Sequence, residues 1–383
     1  MGSSNTHMEQ PRVLCIVRAS THPLINRRIA MIRNGGFQIE AMGFQRETHQ
    51  GATITYKISH LGVIKPGDHL RRIPTLIKCI PKLRSALRRS QVVYVFHMDL
   101  ALLVILSGLG LRRPTAMEIV DIIPIQTRQG LIGKIVRQIE KLVLSQLDLL
   151  ILTSTGYRDY YRTWLKCDVP DLIIEERIEP SRASVYKQHK PVMRPGVPLI
   201  DRKLRIGYYG NIRDRWSLNL LASLCSSSND RFEIVIAGNV SPKIPYFDDY
   251  LYKNNAIRYL GPFRHPEDIP DLYTSADMIL ACYRPMIPFG WSHATRYFEA
   301  CFFRKPLIVR AGTEAARHVE SHEIGHIIED DDSQSAAQSI GSITPERWLR
   351  WQQNMAALPP DVYMQGTQPG LLADKLNGLL NRS

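Results

Sequence analysis

Apolar positions along this chain fall into short β-branched runs that close on a glycine or a polar loop, and these alternate with stretches of helical period. Residues 13–17 (VLCIV) are the first run; a basic helical stretch over 24–34 follows, then Gly35-Gly36 and a strand around 37–42. Strands are predicted again at 92–96, 115–120 and 149–153, with a long helix over 132–145 feeding the last. In the second half, residues 204–209 end in Gly210-Asn211 and lead to a helix over 218–226. The same unit recurs at 232–237 closing on Gly238, 257–260 closing on Gly261-Pro262, 278–281, and 306–309 closing on Gly312. Strand, turn and helix in this order predict parallel sheets, because a parallel pair needs a crossover and a helix is the usual one. The expected fold class is α/β: two Rossmann-like, doubly wound domains facing a cleft. The expected boundaries are 9–190 and 204–345, with the Pro-rich, basic stretch 180–203 as linker and 346–383 as a helical tail that packs back across the cleft.

Composition narrows this picture. At 383 residues and 44% hydrophobic, the chain is too long for one compact core and too apolar for disorder. The longest apolar run, 100–111, is broken by Ser107, Gly108 and Gly110 and is too short for a bilayer span. The opening MGSSNTHM has neither a basic n-region nor an apolar h-region, so it is not read as a secretory signal. The six cysteines are scattered without a CxxC pair or a nearby His at zinc spacing, which points to reduced, structural thiols and to no metal site.

Net charge is +13, and its distribution is one-sided: residues 1–200 hold 29 Lys and Arg against 15 Asp and Glu, whereas 201–383 hold 20 against 21. Such a field attracts polyanions, either nucleic acid or an anionic membrane face. No nucleic-acid module is present and aromatics do not interleave with the basic residues, so nucleic acid is not an expected partner.

Open α/β sheets bind ligands beyond the C-terminal ends of their strands, which puts the post-strand loops forward as the site. Gly210, Asn211 and Gly238 allow backbone amides to approach a phosphate, and Arg213 or Arg215 would neutralise a diphosphate. In the stretch SHATRYFEACFFRKPLIV, residues 292–309, His293 precedes Thr295-Arg296 at the start of a predicted helix. A helix N-terminus and a guanidinium both favour a phosphate there, and Glu299, at i+3 from Arg296, would fall on the same face and accept hydroxyl hydrogen bonds from a ribose. The plainer reading of this pair is a surface Arg/Glu contact on a capped helix. In the first half, VVYVFHMDL and MEIVDI place His97, Asp99, Glu118 and Asp121 at strand ends.

At these residues the chain resembles the nucleotide-sugar-dependent glycosyltransferases of the GT-B fold, in particular the bacterial family 4-like enzymes that build capsules, exopolysaccharides and lipopolysaccharide. IGYYGNIRD, VIAGN, YLGPFRHPEDIPDLYTSADMIL and ATRYFEACFFRKPLIV carry the likeness in order, and it is strongest over 205–328. The resemblance implies that Arg296 contacts the donor pyrophosphate, Glu299 the nucleotide ribose, and Gly210 and Arg213 the phosphate side. Many retaining members carry a second Glu eight positions earlier; here that position is Trp291, and Phe289-Gly290 stands four residues too early for the motif's Phe-Gly. The resemblance therefore leaves the donor-sugar contact and the stereochemical outcome open. For an inverting transfer a carboxylate must deprotonate the acceptor hydroxyl, and Asp121 stands where related inverting enzymes carry that base, with His97, Asp99 and Glu118 as the other candidates.

The implied donor is a UDP- or GDP-sugar, with no further cofactor and no metal required, and the implied acceptor is a lipid-linked or growing glycan. The segment 65–89 interleaves eight Lys and Arg with apolar residues and reads either as a membrane-interface helix or as a surface helix covering the sheet. The expected location is cytoplasmic and peripheral at the inner membrane face. A nucleotide-sugar epimerase on the same fold and a non-catalytic glycosyltransferase-like binding protein are the competing readings.

Overall fold

The computed structural model describes residues 10–18, 23–45, 56–63, 73–188, 203–227, 231–282 and 289–381. The chain divides into two compact units, one running to Glu175 and resuming at Thr367, the other spanning Glu176–Gly366.

The first unit is built on a seven-stranded sheet: β1 (Arg12–Val17), β2 (Gln38–Gln45), β3 (Ile58–Val63), β4 (Val92–Phe96), β5 (Thr115–Ile119), β6 (Leu149–Leu152) and β7 (Asp171–Ile173). All paired strands are parallel, in the order β3-β2-β1-β4-β5-β6-β7. The inner strands read as unbroken apolar runs because both faces are covered: VVYVF of β4 and LLIL of β6 are buried at every position. The strands missing from the sequence reading, β3 and β7, are edges of this sheet. An edge strand packs against fewer neighbours, and ISHLGV and DLI carry little apolar pattern.

The second unit holds β8 (Leu204–Tyr209), β9 (Phe232–Ala237), β10 (Ile257–Tyr259), β11 (Met278–Leu280), β12 (Leu307–Arg310) and β13 (Gly325–Ile328). They form a parallel sheet in the order β10-β9-β8-β11-β12-β13. The unpredicted strand here, β13, is again an edge. Ile206, Tyr208, Ile234 and Met278 pack under the helices Arg215–Ser227 and Ser333–Gly341 on one face, and Tyr209, Val235, Ile279 and Leu307 face the other. Two Rossmann-like sheets are thus present, as the strand pattern predicts.

Three segments depart from the sequence reading. The stretch expected as linker begins with a helix, Pro180–Gln188, whose Ala183 and Tyr186 are buried in the core of the second unit. Its proline stands in the first turn, where a missing N–H costs nothing; residues 189–202 lie outside the described residues. The tail expected over 346–383 is split between the two units. Pro345–Ala357 stays in the second, burying Trp351 and Met355, while Gln368–Leu380 completes the first, where Leu372, Leu376 and Leu379 join Leu24, Ile25, Ile29 and Ile32 in one core. In the basic segment, the helix Ile73–Arg89 turns Cys79, Leu83, Ala86 and Leu87 inward and continues through Pro81. Its apolar stripe covers the sheet, which is the surface-helix reading; residues 65–72 of the segment lie outside the described residues.

Candidate functional site

In the second unit β8 lies between β9 and β11, so the connections on its two sides diverge and leave a crevice at its C-terminal end, the topological switch point of the sheet. Gly210 follows β8 with φ 125° and Gly238 follows β9 with φ 138°, values that side chains rarely tolerate. The two loops touch: the Gly210 N–H donates to Ala237 O at 2.9 Å, and a Cβ on Gly238 would lie 1.8 Å from Gly210 O. On the other side of Gly210, a Cβ would meet Arg296 Nη2 at 3.2 Å, so the guanidinium rests against bare backbone.

Arg296 is 5% exposed. Its Nη1 donates to Leu280 O, at the end of β11, at 3.2 Å, and its Cζ lies 4.8 Å from the Tyr208 ring centroid. A cation is therefore held at the ends of β8 and β11, beside a glycine loop. That arrangement suits a phosphate or diphosphate group.

The other expected donor residues are arranged less simply. Asn211, Arg213 and Arg215 are exposed; Arg215 Nε donates to Tyr246 Oη at 2.8 Å and the guanidinium covers that ring. Asp214 caps the helix Arg215–Ser227, its carboxylate accepting from Ser217 N at 3.0 Å and Trp216 N at 3.3 Å. The N-terminal amides of that helix are thus engaged by an internal carboxylate. Thr295 opens the helix Thr295–Phe302 and donates through Oγ1 to Glu176 Oε2 at 3.0 Å. Trp291 is half-buried in the turn Phe289–Trp291. His293, 8% exposed, stacks on Tyr297 with ring centroids 4.6 Å apart.

Glu299 shares a helix with Arg296 but reaches different partners. Its Oε1 accepts from His265 Nε2 at 2.7 Å and Tyr186 Oη at 3.0 Å, and its Oε2 accepts from Tyr273 Oη at 2.8 Å. Burial alone would raise its pKa. The His265 contact, the nearby Arg182 and the Tyr273 hydroxyl outweigh that and hold the carboxyl below its usual 4.5. Glu299 thus ties together the segment of His265 and the helices Pro180–Gln188, Ile269–Ser275 and Thr295–Phe302. His265, Tyr186 and Tyr273 have no signature in the sequence, because they come from three separate segments.

A carboxyl whose pKa is lower folded than unfolded stabilises the fold above the unfolded value, and that contribution is lost as pH falls through the folded one. Stability is therefore expected to decline as pH drops below about 4.5, with a shallower slope in Glu299→Gln. Denaturant titrations at stepped pH measure both slopes, and equal slopes would remove Glu299 from this role.

The first unit has its own switch point, at β1 and β4. Arg18 follows β1 and pairs with Asp99, Nη2 to Oδ2, at 2.6 Å. His97 follows β4 with φ 68°, a strained conformation for a residue with a side chain, and its N–H donates to Glu118 O at 2.9 Å. Asp121, two residues beyond β5, is exposed. Glu118 differs from the other three in being fully buried: Arg28 Nε and Nη2 donate to its carboxylate at 2.9–3.0 Å, and Tyr94 Oη donates to Oε2 at 2.5 Å. Both oxygens of Glu118 are held inside the core, which gives it a structural place. Asp99, Asp121 and the half-buried His97 lie nearer solvent.

The fold has clear relatives. A glycosyltransferase from Rickettsia africae superposes with a TM-score of 0.70 at 13% identity, over 98% of this chain and 100% of that one. Anabaena HepE in complex with UDP-glucose gives 0.66 at 14% identity, over 96% and 99%. In fold the chain is similar to these glycosyltransferases. In sequence it is 25% identical over 347 residues to the succinoglycan biosynthesis protein ExoL of Rhizobium meliloti, covering 87% of this chain and 85% of that one. No family model matches the chain.

Proposed function

We propose that the protein is a glycosyltransferase of surface polysaccharide biosynthesis that moves a sugar from a nucleoside-diphosphate donor to a lipid-linked or growing glycan acceptor. The observation that carries this is the cation Arg296, buried against the glycine loops at the switch point of the second unit. UDP is the favoured nucleotide, supported by the likeness to HepE, whose structure contains UDP-glucose. The relationship to ExoL supports a polysaccharide pathway. Gly210 and Gly238 shape the loop, Arg296 neutralises the leaving diphosphate, and Arg213 and Arg215 line its exposed side. Charge developing on the leaving group would be met by positions already fixed before reaction, which is where electrostatic stabilisation is most effective.

Asp121 is the acceptor base of this proposal, an exposed carboxylate two residues beyond the C-terminal end of β5, whereas Glu118 is buried in the core against Arg28 and Tyr94. Calorimetry against UDP, GDP and their sugars, with and without EDTA, tests the donor half; binding of no nucleotide would sink the reading. Asp121→Asn is expected to abolish transfer while nucleotide affinity stays unchanged. Turnover at the wild-type rate would exclude Asp121 as the base.

Membrane association is proposed for the helix Leu131–Leu144 rather than for the segment 65–89. Leu131 and Leu142 are 74% and 63% exposed, and Ile135 and Ile139 lie on the same side, spaced so that one apolar strip faces solvent with Lys134 and Lys141 beside it. Such a strip flanked by cations suits the interface of an anionic bilayer. Among the described residues, no helix is long and apolar enough to cross a membrane. The double variant Ile135→Glu with Leu142→Glu should cut co-sedimentation with phosphatidylglycerol vesicles by about tenfold or more. Unchanged sedimentation would return the helix to an ordinary surface role.

A further inference from the structure

Beside the proposed donor site, the second unit brings together three side chains from two separate segments. Glu314 and His318 stand at i and i+4 on the helix Glu314–His322, one turn apart on a single face. Thr313 caps that helix through Oγ1, accepting from Ala316 N at 3.1 Å, which fixes where its first turn projects. The third group is His293, from the segment ahead of Thr295–Phe302. Its ring is clamped flat against Tyr297 at 15° between planes, and it meets the His318 ring edge-on, at 4.7 Å between centroids and 85°.

The ligand atoms of the three residues lie within 4.8 Å of one another, and Glu314 Oε1 is 3.8 Å from His318 Nε2. His293 and Glu314 are 8% and 4% exposed, so the cluster is largely shielded from water. We propose that His293, Glu314 and His318 form a divalent metal site of the zinc class.

Two imidazoles and one carboxylate are a donor set that binds zinc, with ligand bonds of about 2.0–2.2 Å. Tetrahedral bonds of that length put neighbouring ligand atoms roughly 3.4 Å apart. The Glu314–His318 pair, at 3.8 Å, is close to that separation already, and no pair among the three lies farther apart than 4.8 Å. Arg317 is a built-in competitor: its Nη2 pairs with Glu314 Oε2, and its side chain is 58% exposed, so it can leave for solvent when a cation takes the carboxylate. A bound metal would join the segment leading into Arg296 to the helix Glu314–His322. Gly290, in the turn Phe289–Trp291, already lies against Thr313, where a Cβ on it would meet Cγ2 at 3.4 Å. The proposal stands on this cluster alone and does not depend on the donor reading.

The full-length protein, stripped of metal with a chelator, is titrated with Zn²⁺ by calorimetry. The expected result is one saturable site per chain and a rise in Tm. His293→Ala and His318→Asn should each weaken binding by about a hundredfold or more, since even loss of a group that only orients a ligand costs 10- to 100-fold. Arg317→Ala should tighten it, because the competing cation is gone. Absence of binding to the wild-type chain, or wild-type affinity and stoichiometry in both histidine variants, overturns the site. If a histidine variant fails to fold by circular dichroism, Arg317→Ala decides: unchanged or weaker affinity there also overturns it. UDP binding, measured separately on the same samples, keeps failure of the donor reading distinct from failure of this one.

Discussion

Replacing Arg28 with Met is expected to destabilise the first unit by about 3–5 kcal/mol, the usual cost of leaving one member of a buried ion pair without its partner. Arg28 and Glu118 are 4% and 0% exposed, and Arg28 also donates through Nη2 to Ile174 O at 3.0 Å, next to the last strand of the sheet. Taking away the guanidinium leaves a carboxylate inside the core with Tyr94 Oη as its one remaining donor among the contacts described above. The double variant Arg28→Met with Glu118→Leu should recover much of the loss, because an apolar pair of similar volume needs no charge compensation. Urea denaturation followed by circular dichroism measures the first transition, and UDP affinity reports separately on the second unit. A loss under about 1 kcal/mol in the single variant, or a double variant no better than the single one, would mean that the pair is not what holds this core.

The second large effect is expected at Arg296. Hydrogen bonds to a charged group are worth about 1.5–3 kcal/mol each, so Arg296→Ala should raise the Kd for UDP by about ten- to a hundredfold or more. Arg296→Lys keeps the charge but loses the planar fork and the stacking on Tyr208, and should recover only part of the affinity. Calorimetry with UDP, alongside a thermal melt to show that the fold survives, separates the two effects. Wild-type affinity in Arg296→Ala would remove the donor site from this crevice and with it the observation on which the proposed function rests.

The glycines that close β8 and β9 are legible because a strand that ends in glycine is a local feature, and the helix opening at Thr295 because its start falls in a motif with recognisable spacing. Glu299 was legible as a residue but not in its contacts. At i+3 from Arg296 it is expected on the same face, and its carboxylate there meets Tyr186, His265 and Tyr273. Those partners come from three elements that only folding brings together. The cluster of His293, Glu314 and His318 was hidden for the same reason, with one member on a different segment from the other two.

The sequence by itself determined the alternation of strand and helix, the parallel α/β class, the inner strands and the glycine loops at their ends. These follow from interactions over a few residues: the apolar runs that a doubly covered strand demands, and the backbone freedom that a tight strand-to-helix turn demands. The tertiary structure alone decided the edge strands, the return of the last helix to the first unit, the commitment of Glu118 to Arg28, and the meeting of Glu299 with Tyr186, His265 and Tyr273. Each of these depends on what meets a side chain from far along the chain. A carboxylate in the sequence carries no mark of whether it will face water as a base or be neutralised in a core, because its desolvation and its partner arise together only when the sheets close.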